Sequence, residues 1–135
     1  MNYWLMKTEP EEFSWDDLVK RGAKGEPWTG VRNFTARGHM KDMKKGDRVF
    51  IYHTGDEKRI VGIAKVVKAA YPDPKAGDDS LVVVDLERVK PLKNPVTLAA
   101  IKADKRFAQW ALVRVPRLSV MPVDPEHWKQ LAAGS

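Results

Sequence analysis

Apolar residues fall along this chain in short runs of strand length. Tyr3–Lys7 is aromatic and apolar, and residues 48–54 (RVFIYHT), 59–69 (RIVGIAKVVKA) and 81–89 (LVVVDLERV) are rich in β-branched residues. Only Gly55–Lys58 separates the second run from the third, which predicts an antiparallel hairpin. Both hairpin strands are apolar on both faces over part of their length, as in a closed or well-covered sheet. Gly62, within a strand pattern, marks a bulge or a close backbone approach. Residues 117–123 (RLSVMPV) read as a short strand with Pro122 near its end.

Polar punctuation predicts the helices. Ser14 with Asp17 forms an S-x-x-D cap, Asp16 and Asp17 suit the first turn, and Gly22 ends the helix. Asn33 or Thr35 caps a second helix ending near Met43, with Phe34, His39, Met40 and Met43 available for one side. Thr97 caps a short helix to about Ala103, and another helical stretch lies near Arg106–Leu112. Asp124-Pro125-Glu126 opens a last helix, which carries Trp128 and Leu131 and runs to the C-terminus. Residues 22–31 read as a Gly/Pro loop with Trp28 in its middle, residues 44–47 as a turn, and Pro91 and Pro95 as the punctuation of another loop. The class is α+β, a small barrel or strongly bent sheet with short helices packed around it.

At 135 residues the chain predicts one domain, 1–135, with one real core. The absence of cysteine excludes disulfides, a thiolate nucleophile and a Cys-based zinc site. No apolar run approaches the length of about 20 residues needed to cross a bilayer, and the N-terminus turns acidic by residue 9. These features predict a cytoplasmic protein without a membrane partner, at the nucleoid or, in a eukaryote, in the nucleus.

The net charge of +6 is uneven. Residues 1–20 sum to −3, residues 21–70 to +7 and residues 71–135 to +2. The excess around Arg32, Arg37, Lys41, Lys44, Lys45 and Arg48 would attract a large anion such as nucleic acid; the alternative is a solvated basic face. Arg37, Lys44 and Lys45 are the phosphate candidates.

Enzyme motifs are missing. Ser119 has no G-x-S-x-G elbow, the three histidines (His39, His53, His127) lack metal-ligand spacing, and Glu11-Glu12, Asp16-Asp17 and Asp78-Asp79 read as solvated or capping pairs. A recognition set is present instead. Trp28 could stack on a base, and Asn33 offers both a donor and an acceptor to a base edge. Tyr52 and His53 end a strand at a pocket mouth, and Lys7 and Arg117 could hold phosphate. Singly, Trp28 reads as core, Asn33 as a cap and His53 as a structural histidine; the set favours binding. The loop position of Trp28 leaves its ring less committed to a core than those of Trp4 or Trp128.

YWLMKTEPEEFSWDDL at 3–18, WTGVRNFTAR at 28–37, GDRVFIYHTG at 46–55, IVGIAKVVKAAYPD at 60–73 and RLSVMPV at 117–123 resemble the EVE domain family over residues 2 to about 131. The resemblance implies a PUA-like fold, a bent β-barrel with helices at its ends, and a likeness to YTH domains, which read methylated adenine. It implies a reader of modified bases in DNA or RNA, modified cytosines such as 5-methylcytosine foremost. By position, the pocket would lie among Lys7, Thr8, Trp28, Val31, Arg32, Asn33, Tyr52, His53, Arg117 and Ser119. Thr8 and Thr54 stand where the family usually has serine; at Thr8 the added methyl narrows the pocket.

The expected protein is a monomeric, non-enzymatic reader of a modified base in DNA, flipped from a duplex and held without a cofactor or metal. The rivals are a reader of modified tRNA or rRNA, a small hydrolase using His53 with Asp56 or Glu57, and a protein-interaction module with a basic face.

Overall fold

The computed structural model describes residues 1–78 and 80–133. Asp79, and with it half of the Asp78-Asp79 pair, lies outside the described residues, as do the last two positions of the expected C-terminal helix. Six strands, β1 (Tyr3–Thr8), β2 (Glu26–Pro27), β3 (Arg48–His53), β4 (Arg59–Pro72), β5 (Val82–Thr97) and β6 (Val120–Pro122), form one mixed sheet in the order β2-β5-β4-β3-β1-β6. The helices are α1 (Trp15–Arg21), α2 (Phe34–Asp42), α3 (Leu98–Ala103), α4 (Ala111–Arg114) and α5 (Pro125–Ala132).

β1 lies parallel to β3, with Tyr3 opposite Arg48 and Thr8 opposite His53, while β3–β4 and β4–β5 are antiparallel. Register shifts recur along the β4–β5 ribbon, and each one bends it. Helix α2 touches β6 at one end of the strand order and β5 and β4 near the other, so the sheet curls around it. The α+β class and the bend are as expected. The barrel is not closed: β2 and β6 remain edges.

Local chemistry accounts for most elements. Ser14 and Asp17 complete a reciprocal capping box, and Asn33, Thr97 and Asp124 each accept a backbone N–H at the start of a helix. Gly62 sits at a register shift directly beneath the Trp15 ring, where a Cβ would come within 2.6 Å of it. No larger residue could pass under α1 there.

Four elements differ from expectation. The expected loop 22–31 contains a 3-10 turn, Gly22–Lys24, and the short edge strand β2. The segment with Pro91 and Pro95 is strand, not loop: β5 pairs with β4 at Pro91 and again at Val96, the residues between them falling in a register shift, and with β2 only at Asp85 and Leu86. Pro95 lies in that shift and Pro91 at its border, and the outer edge has no strand partner there among the described residues, which are the positions where a sheet tolerates proline. The 106–112 stretch divides into a 3-10 turn, Lys105–Phe107, and α4. Phe34 does not join the buried side of α2: it is 82% exposed, while Ala36 and Met40 are buried. The core runs between the sheet and its helices, from Trp4, Leu5 and Met6 on β1 through Val49, Phe50 and Ile51 on β3 to Leu131 on α5.

Candidate nucleic-acid interface

β1 ends at Thr8, and the chain then turns through Glu9 and Glu12 into the cap of α1. The Thr8 hydroxyl donates to the Phe13 carbonyl (2.7 Å), which draws Phe13 against this end of the sheet. Ser119, just before β6, accepts the Lys7 backbone N–H (2.9 Å). The third wall comes from β2: the Trp28 N–H donates to the Val84 carbonyl (2.8 Å), extending the β2–β5 pairing by one residue. Together these elements enclose an open cleft of about 540 Å³, within the ordinary range of ligand sites.

Part of the cleft lining is apolar. Phe13 meets Trp28 edge-on at 90°, with ring centroids 5.7 Å apart, and Val31 lies beside them. Its polar lining includes Lys7, Thr8, Glu12 and Ser119. Arg21 and Glu26 pair across the rim at 3.2 Å. Glu9 accepts a hydrogen bond from the Thr54 hydroxyl (3.0 Å). The Glu12 carboxylate has no hydrogen-bond or ion-pair partner among the described residues. Lys7 is half-buried; its ammonium donates to the Pro116 carbonyl (2.8 Å), and burial pulls its pKa below the ordinary lysine value.

Of the expected site residues, Lys7, Thr8, Trp28, Val31 and Ser119 do line this cleft. Arg32 lines a smaller neighbouring cavity of about 240 Å³ that shares Thr29, Gly30 and Val31 with it. Tyr52 belongs to a third cavity, on the far side of Lys7. Trp28 needs a correction: its ring is 7% exposed and part of the core, because β2 joins the sheet edge and Phe13 packs against the indole.

Asn33 lies outside the cleft, with its side-chain oxygen accepting the Ala36 N–H (3.0 Å) as the cap of α2. His53 is 7% exposed and engaged at both ring nitrogens: Nε2 accepts the Trp15 N–H (3.0 Å) and Nδ1 faces Glu57 (3.1 Å). It fixes α1 to β3, so it has no nitrogen free for a pocket or for hydrolysis with Asp56 or Glu57. Glu57 is itself held by His53 and by Arg59, and both hydrogen bonds lower its pKa. Arg117 is exposed and lines none of these cavities.

None of the phosphate candidates lines the cleft. Lys44 and Lys45 precede β3 and sit at the Tyr3 end of β1, roughly 17 Å along the strands from Thr8 at about 3.3 Å per residue. Arg37 donates to the carbonyl and hydroxyl of Ser80 (3.1 Å each). Sequence reasoning missed Glu12, Phe13 and the Arg21–Glu26 pair. The glycines at 22 and 25 were the available signal for that pair, since they turn the chain back between its partners.

The sequence profile of the EVE domain matches residues 2–133. Mouse thymocyte nuclear protein 1 is 32% identical over an alignment covering 94% of this chain and 70% of that protein. The solved structure of Rpa0253 from Rhodopseudomonas palustris is 52% identical, with a TM-score of 0.93 over 98% of this chain and 92% of its own. The structure of human THYN1 protein in complex with 5-methylcytosine-containing DNA is 30% identical, with a TM-score of 0.90 over 98% of this chain and 96% of its own.

Proposed function

Because this chain belongs to the EVE domain family, we propose that it is a non-enzymatic reader of DNA carrying a modified cytosine. The observation behind this reading is the likeness, over nearly the whole chain, to a human protein solved with 5-methylcytosine-containing DNA. The chemistry of the cleft supports it. Phe13, Trp28 and Val31 offer an apolar wall to the 5-methyl group and an aromatic border to the base. Thr8, Ser119 and Lys7 add polar atoms to the same lining. The free carboxylate of Glu12 can accept from the cytosine N4 amine, a pairing that thymine cannot make.

The energies permit weak-to-moderate binding. Flipping the base costs a few kcal/mol in a duplex. Aromatic contact recovers about 1–3 kcal/mol, and burying one methyl adds about 0.8 kcal/mol. Phosphate contacts must supply the rest.

The test is a titration with matched single-stranded oligomers carrying one 5-methylcytosine or one cytosine, as DNA and as RNA. Methylated DNA should bind roughly fourfold more tightly than unmethylated, the equivalent of one buried methyl. Equal affinity for the two DNA oligomers overturns the reading. Tighter binding of the RNA pair transfers the partner to RNA.

A further inference from the structure

Lys7 borders two cavities. The base cleft lies on one side of it, and on the other is a pocket of about 290 Å³ between the ends of β1 and β3, the β3–β4 turn and α3. Its polar lining is Lys7, Tyr52, Thr54, Lys58 and Lys102, and no acidic side chain lines it. Two carboxylates lie at its border, both already engaged: Glu9 accepts the Thr54 hydroxyl hydrogen bond (3.0 Å), and Glu57 is held by His53 and Arg59.

The three ammonium groups come from separate elements. Lys7 is on β1, with its Nζ 5.5 Å from the centroid of the Tyr52 ring. Lys102 is on α3. Lys58 is on the β3–β4 turn at φ +45°, the only non-glycine residue with positive φ among those described, and its carbonyl accepts the Leu98 N–H (2.8 Å). A lysine in this left-handed setting is uncommon, and here it is pinned beside the other two. Neither Lys58 nor Lys102 forms an ion pair among the described residues. The Tyr52 hydroxyl has no hydrogen-bond partner among them and can donate into the pocket.

We propose that this three-lysine pocket holds a backbone phosphate of the strand whose base occupies the cleft. The proposal rests on the reader function above and extends it to the path of the strand. The strand passes over the β1 terminus at Lys7, which faces both cavities, rather than over the distant Lys44-Lys45 turn. A tetrahedral anion suits the site because lysines act as point charges approaching from several directions, and a tyrosine hydroxyl completes the donor set.

The test pairs Lys58→Ala with Lys102→Ala, both exposed positions whose loss leaves the core intact. Affinity for a single-stranded oligomer carrying one 5-methylcytosine is measured across a salt series. The double variant should bind roughly tenfold more weakly at low salt, and its log–log salt slope should fall by about 0.7, the value for one lost phosphate contact on a single strand. The paired Lys58→Arg and Lys102→Arg variant should keep both. Affinity for the nucleoside 5-methyl-2′-deoxycytidine, which has no phosphate, should be the same in the parent and the alanine variant.

An unchanged slope in the alanine variant overturns the phosphate pocket whatever the base preference. An equal loss for nucleoside and oligomer overturns it too, because the lysines would then be shaping the cleft. Tight binding of inorganic phosphate with unaltered oligomer affinity assigns the pocket to a free anion and overturns the strand path. If the parent fails to prefer the methylated oligomer, the reader function fails, yet the slope still reports on the pocket.

Discussion

At the Tyr3–Arg48 end of the β1–β3 pair, Asp47 is 3% exposed and its carboxylate accepts three hydrogen bonds, from Asn2 N–H (3.1 Å), Trp4 Nε1–H (2.9 Å) and Lys44 N–H (3.0 Å). Burial alone would raise its pKa; these donors outweigh that effect and hold it below the ordinary aspartate value. Trp128 stacks nearby on Phe50 and Tyr3, with centroids 3.8 and 4.7 Å away. At the Thr8–His53 end of the same two strands, Glu12, Lys58 and Lys102 have no such partners among the described residues, and Lys7 borders two cavities. Charge with a full set of donors is architecture; charge without one is available to a ligand. Trp28 and His53 cross this division, since they stand at the open end and yet belong to the packing.

The strongest way to break the comparison is Trp28→Ala. If the indole is core, as its burial indicates, truncation should cost about 3–5 kcal/mol in chemical denaturation, besides any loss of binding. A variant of parental stability that has lost binding would instead make Trp28 a freely presented platform. Asp47→Ala should cost about 3 kcal/mol at pH 7, because three donors lose their acceptor at once. Its pH dependence sharpens the point. The folded-state pKa of Asp47 lies below its ordinary value of 3.8, so its contribution is full above that value and is lost as pH falls through the depressed folded one. Acid unfolding of Asp47→Asn should lack that component, and identical acid profiles in variant and parent would remove Asp47 from the structural end. The smallest effect is expected for Glu12→Gln: unchanged stability, and binding of the methylated oligomer weakened roughly fivefold, about 1 kcal/mol for one exposed charged hydrogen bond. A loss of stability in that variant would show Glu12 to be packed like Asp47.

Much of this was written in local chemistry. The Ser14–Asp17 box, the Asn33, Thr97 and Asp124 caps, the Gly55–Lys58 hairpin turn and the close approach at Gly62 each depend on residues a few positions apart, or on a side chain too small to block a neighbour. Of the residues named by the quoted motifs, Lys7, Thr8, Val31 and Ser119 line the cleft. They also brought Asn33 and His53 to the interface, but in the fold these two serve as a helix cap and a helix anchor.

What the sequence by itself determined was therefore the set of elements, the bent mixed α+β architecture and the family. Only the tertiary structure decided what each polar or aromatic group does. Whether His53 is a base or an anchor depends on the Trp15 N–H, 38 residues away in the chain. Whether Trp28 is a platform or core depends on β2 finding the free edge of β5. The cluster of Lys7, Lys58 and Lys102 exists only because a parallel strand pair, a left-handed turn and a short helix end at the same place. Hydrogen bonding and burial are set by neighbours in space, and a linear pattern carries that information only where the neighbours are also near in sequence.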